Sequence, residues 1–550
     1  MGATLLVGQI RTLDPACPTA EAVAFDAGRI VAVGPRAELE ARVSGAEVID
    51  VGEATVLPGF IDAHHHVAIS ALYDGALRLV PPKVTDIASL QAALAEAREG
   101  SSADRWLVGT HWDETLLRER RPPTRQELDA AVPDRPLFLL HHTCHRALGN
   151  SKALELAGVD RHTPEPSGGV ISRGPGGVPD GLLVERGMAP VEQLARADRL
   201  GVDEHGVLVR MAAHYRAVAR AGITRLCDTA VPRDLLGTFR ALAARGDVLV
   251  PTHACPVSIR GWLPEPVDAL EGEPTGEEAG PNLWIGAVKL VFDGAPGCSM
   301  CLTWGQSLVA LARTLALTAR QRSLDPLRTA LSIAPRWGLD VRSGIALYQP
   351  QEGERIVRLA VERGFAVASH ALGNAAIEVA LRAYAAAGRR LHDGGVARLE
   401  HAAFSDPGAA RRMADLGVAA GVQPAMLEMH MAASAARIPG LPFFPLRRLR
   451  DAGVRLAGSS DYPVHTFDPL AGIRAAIARK NARGDVVDPE QRISLDEALA
   501  MYTRDAAEVL NVGHETGTLT PGKRADLVVV EGLTDGEPRV VRTFVGGLAP

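Results

Sequence analysis

The chain has 550 residues, of which 47% are hydrophobic and 23% charged, so its composition is that of a globular protein and excludes general disorder. Its 59 basic and 65 acidic residues give a formal net charge of -6. With no block of like charges, this balance provides no positive surface for nucleic acid or for anionic lipid.

The cysteines and the N-terminal segment indicate the cellular compartment. Six cysteines are too few for a disulfide scaffold in a chain of this length. The first residues lack the basic and apolar regions of a signal peptide, and no run of 18 apolar residues suggests a membrane span. We therefore expect a soluble, cytoplasmic protein that acts on a small molecule, without a nucleic-acid or membrane partner. A homodimer stays an open alternative, because dimers are the commonest soluble assemblies.

Both ends of the chain are rich in short β-type runs. Residues 21–34 have the pattern of a hairpin that turns at residues 26–28, and residues 517–531 and 539–545 predict further strands. We expect residues 1–57 and 510–550 to pair into one composite domain, a small β-sandwich. This domain would enclose a larger domain formed by residues 58–509.

The middle of the chain alternates β-rich runs with helical patterns, such as those at residues 352–363 and 375–387. This alternation is typical of the α/β class, and eight runs predict a (β/α)8 barrel, or TIM barrel. The eight runs are residues 55–64, 223–229, 248–255, 285–291, 365–370, 396–401, 418–423 and 454–460.

Two segments between these runs are enlarged. The stretch from about residue 67 to 220 is too long for one crossover, which predicts an insertion after the first barrel strand. A second enlarged loop, at about residues 295–350, follows the fourth strand. Because the loops after the strands build the active site of such barrels, we expect both segments to cover the site.

Metal-binding residue types stand where the predicted strands end. Residues 58–66 have the sequence PGFIDAHHH, and alternation along a strand places His64 and His66 on one face with His65 on the other. Imidazole and carboxylate groups are ligands that zinc favours. The sequence therefore predicts a metal centre at the ends of several strands, with these candidates: His64, His66, Lys289, His370, His401 and Asp461.

This pattern resembles the amidohydrolase superfamily, and within it amidohydrolase family 3, the YtcJ-like proteins that include N-substituted formamide deformylase. The resemblance rests on the H-x-H motif, on His370, His401 and Asp461, and on segments along nearly the whole chain. These segments are WDE at 112–114, His145, NSKALELAG at 150–158, VKLVFDG at 288–294, HALG at 370–373, RLEH at 398–401, VQP at 422–424, GSSDYP at 458–463 and GTLTPGKRAD at 517–526.

The resemblance implies one or two divalent ions, with zinc the expected metal. It implies that Lys289 is carboxylated and bridges two ions; the alternative is a neutral or salt-bridged lysine beside one ion. It also implies that Asp461 both binds metal and acts as the general base. A metal lowers the pKa of bound water to about 7, and a neighbouring carboxylate can pass the proton to the leaving nitrogen.

Substrate contacts are expected from His145, Trp112 and Tyr462. His145 would help the metal to stabilise the oxyanion of the tetrahedral intermediate. Trp112 would line the pocket, with an anchoring role in the insertion as the alternative, and Tyr462 directly follows the expected base. Packing, surface or local hydrogen-bonding roles are expected for four neighbouring residues: Asp113, Glu114, His141 and His142.

Two departures from the family pattern concern the pocket. Asn374 stands where relatives commonly have aspartate, a change expected to alter a contact behind the ligands or with substrate. Residues 295–304 also depart from the usual polar pattern, which leaves the substrate unidentified.

The leading hypothesis is a metal-dependent hydrolase that cleaves a linear carbon–nitrogen bond, such as an N-acyl or N-formyl amide. The alternative within the superfamily is a deaminase, a cyclic-amide hydrolase or a carbamate hydrolase. No glutamate stands close to His370, as mononuclear deaminases of the superfamily would have, and this favours amide hydrolysis. A non-catalytic scaffold is disfavoured, because every expected metal ligand is retained.

Overall fold

The computed structural model describes residues 2–100, 102, 104–257, 275–294, 298–321, 338–428, 438–534 and 536–550. Its strands are β1 (Thr4–Arg11), β2 (Thr19–Asp26), β3 (Arg29–Gly34), β4 (Glu47–Pro58), β5 (Phe60–His65), β6 (Leu77–Arg78), β7 (Leu107–Trp112), β8 (Leu137–His141), β9 (Arg146–Gly149), β10 (Gly169–Arg173), β11 (Pro179–Glu185), β12 (Ile223–Val231), β13 (Thr252–Pro256), β14 (Glu278–Gly280), β15 (Leu283–Ile285), β16 (Val288–Val291), β17 (Met300–Leu302), β18 (Val341–Ser343), β19 (Val367–Ala371), β20 (Arg398–His401), β21 (Ala419–Val422), β22 (Leu456–Gly458), β23 (Leu527–Glu531) and β24 (Arg539–Phe544).

The α-helices of the described residues are α1 (Arg36–Arg42), α2 (Val67–Tyr73), α3 (Ile87–Glu99), α4 (Arg125–Ala131), α5 (Ser151–Leu156), α6 (Ala189–Arg220), α7 (Arg233–Ala244), α8 (Trp304–Gln321), α9 (Pro350–Glu362), α10 (Asn374–Ala387), α11 (Pro407–Asp415), α12 (Leu446–Asp451), α13 (Pro469–Ala478), α14 (Leu495–Met501) and α15 (Arg504–Val509). Together with the strands they form a mixed α/β fold.

Strands from both chain ends form one six-stranded sheet in the order β24-β23-β4-β1-β2-β3. The predicted hairpin at residues 26–28 is confirmed as the turn between β2 and β3. β4 pairs with β1 on one side and with β23 on the other, so the terminal strands are continuous in one sheet. The Phe25 ring of β2 and the Phe544 ring of β24 nevertheless lie 5.4 Å apart between centroids, so the sheet folds back on itself around one core. The boundaries of the composite domain stay a prediction.

The insertion contains a sheet of its own in the order β10-β11-β9-β8-β7-β6. It encloses a separate core that includes Leu90, Trp112, Leu128 and Leu139. Helices α3 and α4 each begin with a capping box, in which the N-cap side chain and the third helical residue bond each other's backbone. The insertion is therefore a folded α/β unit and more than an extended loop.

The remaining predicted strands lie in two five-stranded sheets, ordered β14-β15-β13-β12-β5 and β16-β19-β20-β21-β22. The pairs from β5 to β15 and from β16 to β22 are parallel. All nine residues of β12 are buried, as expected for a parallel strand that is covered on both faces. All eight predicted strand regions and both predicted helices are confirmed, with shifted ends.

The first predicted run is divided in the structure. Its part up to Pro58 belongs to β4 and the terminal sheet, whereas β5 begins at Phe60. The division falls at Gly59, where a Cβ atom would lie 2.2 Å from the Thr224 side chain. Glycine therefore lets the chain pass close to β12 as it leaves one sheet for the other.

No helix within the described ranges combines the length and apolarity needed to cross a membrane.

Candidate metal centre

The H-x-H motif lies at the carboxyl end of β5, where the strand leads into α2. His64 is still on the strand, and His66 is the residue before the helix. His64 Nε2 lies 3.2 Å and His66 Nε2 lies 3.0 Å from the same atom, Asp461 Oδ1. Both imidazoles are nearly inaccessible to solvent. The structure therefore brings these two predicted ligands to one carboxylate.

His65 faces away from this group, as strand alternation predicts. Its Nδ1 atom lies 2.8 Å from Asp62 Oδ2, and its Nε2 atom lies 2.7 Å from His214 Nε2. The ring stacks on Tyr462, with 5.3 Å between the ring centroids. His65 is thus held by the scaffold behind the centre.

The backbone turns sharply at two further candidates. His401 and Asp461 have left-handed φ angles of 70° and 56°. Such conformations are costly for non-glycine residues and concentrate at functional sites. The Asp461 backbone N–H donates to the His64 carbonyl oxygen over 2.8 Å. One ligand atom from each of His64, His401 and Asp461 lies within 4.8 Å of the others.

Two more candidates border this triad. The His370 ring lies 4.5 Å from the His401 ring between centroids. Lys289 Nζ lies 3.4 Å from His64 Nε2, and only 4% of the lysine is exposed. All six residues predicted from the sequence are therefore gathered in one place, five of them at or just after the carboxyl ends of parallel strands and Lys289 within β16.

The donor set fits a divalent cation. It consists of four imidazoles, a carboxylate and an amine, which are all buried. The His370 Nε2 atom has no hydrogen-bond partner among the residues described, although leaving such an atom buried and unpaired is costly. His–carboxylate sets of this kind are those of catalytic zinc sites.

Residues behind the ligands fix the orientation of the imidazoles. His64 Nδ1 donates to Glu400 Oε2 over 2.8 Å, and His401 Nδ1 donates to Gln423 Oε1 over 2.7 Å. Both bonds leave Nε2 with its lone pair directed at the centre, which is the usual support of a metal-binding histidine. Gly421 makes room for this arrangement, since a Cβ atom there would lie 2.1 Å from Glu400 Oε2.

The electrostatics keep three of these groups, His370, His401 and Asp461, in the form that binds metal. Burial lowers the pKa of His401 to about 3 and that of His370 well below its usual value. Burial would raise the pKa of Asp461, but the neighbouring His64 and His66 outweigh it and hold this pKa well below its usual range. Neutral imidazoles and an ionised carboxylate are what cation binding requires.

Replacing Gln423 with methionine is expected to weaken metal binding by about 10- to 100-fold, because the side chain keeps its length but no longer accepts the His401 proton. The dissociation constant would be measured by competition with a chromogenic chelator. Gln91→Met is the matched control, since Gln91 bonds a backbone carbonyl in the insertion. An unchanged dissociation constant in the Gln423 variant would remove Gln423 from the support of the centre.

The stability of the metal-free protein is expected to depend on His66. Burial lowers the pKa of His66, but the neighbouring carboxylates of Asp228 and Asp461 raise it more, to about 9 from 6.5. A pKa raised by folding gives stability that is full below pH 6.5 and is lost as the pH rises to about 9. The loss amounts to about 3 kcal/mol in the free energy of unfolding.

Chemical denaturation of chelator-treated protein between these pH values would measure this loss. His66→Gln is the comparison. The free energy of unfolding of this variant should lack the loss that His66 causes between these pH values. Parallel pH profiles for the two proteins would contradict a paired, charged His66.

The three predicted substrate contacts differ in where they lie. His145 Nδ1 lies 3.0 Å from both carboxylate oxygens of Glu185, and its ring centroid is 5.2 Å from that of His370. Burial lowers the pKa of His145, but the charge of Glu185 outweighs it and raises this pKa. A histidine that carries a proton here can donate a hydrogen bond towards the centre.

Tyr462 lines a cavity of about 50 Å³ together with Ser70, Tyr73 and Cys144, and none of the six candidate ligands lines it. Trp112 does not line this cavity. It is fully buried in the core of the insertion, and its indole N–H donates to the Leu139 carbonyl oxygen over 3.0 Å. The expectation of a pocket role for Trp112 is therefore corrected to the anchoring role.

Asn374 has a contact that aspartate could not make. Its side-chain oxygen accepts from the Cys301 backbone N–H over 2.9 Å, and its NH₂ donates to the Cys301 carbonyl oxygen over 2.7 Å. The amide thus fixes β17 at the start of α10. The change therefore acts on the loop after the fourth strand and leaves the ligands in place.

Sequence reasoning gave no role to several buried groups around the centre. Asp293 accepts three backbone N–H groups and lies 3.6 Å from His370 Nε2, and Asp228 lies 3.8 Å from His66 Nδ1. Glu400 and Gln423 lie within the RLEH and VQP motifs, which by themselves indicate no role for these two side chains. Their positions in the sequence could have indicated a role. Each of the four residues stands on or just after a strand that either carries a candidate ligand or pairs with a strand that does.

Comparisons with known proteins bear on the identity of the chain. The model of the amidohydrolase family matches residues 47–547. N-substituted formamide deformylase from Arthrobacter pascens is 30% identical over 556 residues, which cover 99% of this chain and 97% of that protein. The putative amidohydrolase YtcJ from Bacillus subtilis is 28% identical, covering 93% of this chain and 91% of that protein.

Among solved structures, an uncharacterized metal-dependent hydrolase from Pyrococcus horikoshii matches with a TM-score of 0.69 and 22% identity, covering 96% of this chain and 97% of that one. This likeness concerns the fold. The family match spans most of the chain and agrees with the resemblance expected from its motifs. The chain therefore belongs to the amidohydrolase family, which confirms the predicted class of enzyme, a hydrolase of carbon–nitrogen bonds other than peptide bonds.

Proposed function

We propose that this protein is a metal-dependent hydrolase that cleaves a linear amide, N-acyl or N-formyl bond in a small molecule. The observation that carries the proposal is the buried group of His64, His401 and Asp461, whose ligand atoms lie within 4.8 Å of one another. In a member of the amidohydrolase family, such a group would hold the metal ion that serves hydrolysis.

We infer that the two parallel sheets close into one (β/α)8 barrel around this group. Only two residues separate β15 from β16, so one strand region passes from the first sheet to the second. On the other side, the Asp461 N–H bonds the His64 carbonyl oxygen, which links the chain after β22 to β5. Active sites of such barrels lie at the carboxyl ends of the strands.

The ligands proposed for the ion are His64, His66, His370, His401 and Asp461, and zinc is the expected metal because it favours imidazole and carboxylate. When bound, the ion supplies Lewis acidity that activates water and polarises a carbonyl near neutral pH. Lys289 is proposed to be carboxylated and to hold a second ion, since its Nζ atom already lies beside His64 Nε2.

The chain's own groups would handle the proton. Asp461 is ionised because its pKa is held low, so it can accept a proton from the attacking water. The same carboxyl would then give the proton to the leaving nitrogen, which departs as an amine while the acyl group leaves as a carboxylate. The His145 imidazole, held by Glu185, would donate a hydrogen bond to the oxyanion.

The substrate class follows from the relatives and the pocket. N-substituted formamide deformylase, which the chain matches over nearly its full length, is named for a linear N-formyl substrate. Tyr462 directly follows the expected base, Asp461, and is proposed to contact substrate. A cytoplasmic location and a homodimer remain predictions from the sequence.

A panel of N-formyl and N-acyl amines, incubated with the zinc-loaded protein, would test the proposal. Equal amounts of amine and of formate or carboxylate are expected, and D461N protein should release both about 10²- to 10⁴-fold more slowly. Ammonia without a carboxylate would indicate a deaminase, carbon dioxide would indicate a carbamate hydrolase, and a ring-opened product would indicate a cyclic-amide hydrolase. Each of these outcomes would overturn linear amide cleavage.

A further inference from the structure

A second group of potential ligands lies in the insertion, outside the barrel centre. One ligand atom from each of Asp113, His141 and His142 lies within 4.8 Å of the others. Asp113 follows β7, and His141 ends β8. These strands are parallel neighbours, so their carboxyl ends meet at the same edge of the insertion sheet. The sheet topology therefore brings the three side chains together.

Three polar atoms of this group are buried and unsatisfied. His141 Nε2, His142 Nδ1 and Glu114 Oε2 have no hydrogen-bond partner in the part of the chain that the structure describes. Only 3% of the His141 side chain is exposed. Each such atom costs about 1–3 kcal/mol when it is left unpaired. Because the three atoms belong to neighbouring side chains, one bound species could satisfy all of them.

The spacing suits a cation. His141 Nε2 lies 3.3 Å from Glu114 Oε2, and His142 Nδ1 lies 3.5 Å from Asp113 Oδ2. Ligands about 2.0–2.1 Å from a tetrahedral zinc ion are about 3.3–3.4 Å apart. Within each pair, the two atoms are therefore already nearly as far apart as two ligands of one ion.

Neighbouring groups orient these side chains and leave their ligand atoms facing one another. The Thr115 N–H and hydroxyl both donate to Asp113 Oδ1 over 2.7 Å, which leaves Oδ2 for a ligand. Arg146 bonds Glu114 Oε1 and leaves Oε2. The Thr143 hydroxyl and backbone N–H lie 2.8 and 3.3 Å from His141 Nδ1 and fix the ring, and a bound ion at Nε2 would require the ring proton to be on Nδ1, where the hydroxyl can accept it.

The charge of the group also favours a cation. Asp113 and Glu114 supply two negative charges, and Arg146 balances one of them. Imidazole nitrogens select transition metals over magnesium or calcium.

We propose that Asp113, Glu114, His141 and His142 form a second site for a divalent transition metal of the zinc type, separate from the barrel centre. The ion would join the loop after β7 to the loop after β8. His141 and His142 line the cavity that Tyr462 also lines, so the site would stiffen one wall of that cavity.

Cobalt titration of the full-length H401A/D461N protein would test the site, because this variant lacks two ligands of the barrel centre and leaves the insertion unchanged. One equivalent of Co²⁺ with the visible bands of tetrahedral coordination is expected. Adding H142Q should abolish the bands and the bound equivalent, whereas adding H111Q, a histidine of the same cavity that is outside the group, should leave both.

Three results would overturn the site: no Co²⁺ bound to H401A/D461N, octahedral bands alone, or bands that survive H142Q. The first measurement leaves the group itself intact, so it does not depend on whether the H142Q variant folds. The readout is metal binding and not turnover. A protein that fails to hydrolyse amides but binds Co²⁺ in this way would therefore contradict the proposed function and leave the second site standing.

Discussion

Asp461→Asn is expected to lower kcat by about 10²- to 10⁴-fold, the range that general acid–base catalysis supplies. Asparagine keeps the shape of the side chain but neither accepts a proton at neutral pH nor returns one to the leaving nitrogen. Asp461 is also close to two other candidate ligands, because its Oδ1 atom lies 3.2 Å from His64 Nε2 and 3.0 Å from His66 Nε2. Steady-state hydrolysis of the N-formyl substrate found in the panel would measure the loss.

The metal content of the same variant separates the two roles of Asp461. A variant that retains its metal but not its turnover has lost the base, whereas one that loses both has lost a ligand. Asp415→Asn makes the same chemical change at an exposed position at the end of α11 and should leave kcat unchanged. Turnover near that of the unmodified protein in Asp461→Asn would show that the base lies elsewhere.

The parallel strands and the candidate ligands at their ends could be predicted from the alternation of side chains along a strand and from the common edge at which parallel strands end. Side-chain alternation places His64 and His66 on one face without any knowledge of the rest of the chain. Parallel strands have their carboxyl ends at one edge, so His370, His401 and Asp461 could be expected to meet although they are far apart in sequence. The structure gathers these residues as expected.

The insertion was harder to predict, because its strands are short or irregular. β6 has two residues and β9 has four, too few for a period of two to be recognised. Consequently its separate core was missed, and Trp112 was expected in the pocket when it is in that core. The orphaned atoms of His141 and His142 are equally invisible in sequence, since they depend on the pairing of β7 with β8.

The supporting residues depend on tertiary contacts for a different reason. Gln423 lies next to His401 because β20 and β21 are neighbours, and Glu400 has space beside His64 because residue 421 is glycine. Arg398 bonds the other oxygen of Glu400 over 2.5 Å, so a buried ion pair carries the charge that orients His64. The RLEH motif includes Arg398 and Glu400, but it does not indicate which side chains they contact.

Removal of the metal from the barrel centre is expected to abolish hydrolysis, with a loss of at least about 10³-fold, because Lewis-acid catalysis is worth several kcal/mol. Dialysis against a chelator, followed by titration with Zn²⁺, would measure both the loss and the number of equivalents that restore turnover. The H142Q variant is used here so that zinc bound in the insertion is not counted. Full turnover in protein shown by mass spectrometry to hold no metal would contradict the proposed function.

The same titration decides between one ion and two. If Lys289 is carboxylated, recovery should require two equivalents and should be faster with added bicarbonate, since the lysine amine must combine with carbon dioxide before it can bridge. Burial lowers the pKa of Lys289, which favours the neutral amine that this reaction needs. Lys289→Met, which cannot be carboxylated, should then bind one equivalent regardless of bicarbonate. Recovery of unmodified protein with one equivalent, and without any effect of bicarbonate, would instead assign Lys289 as a lysine beside a single ion.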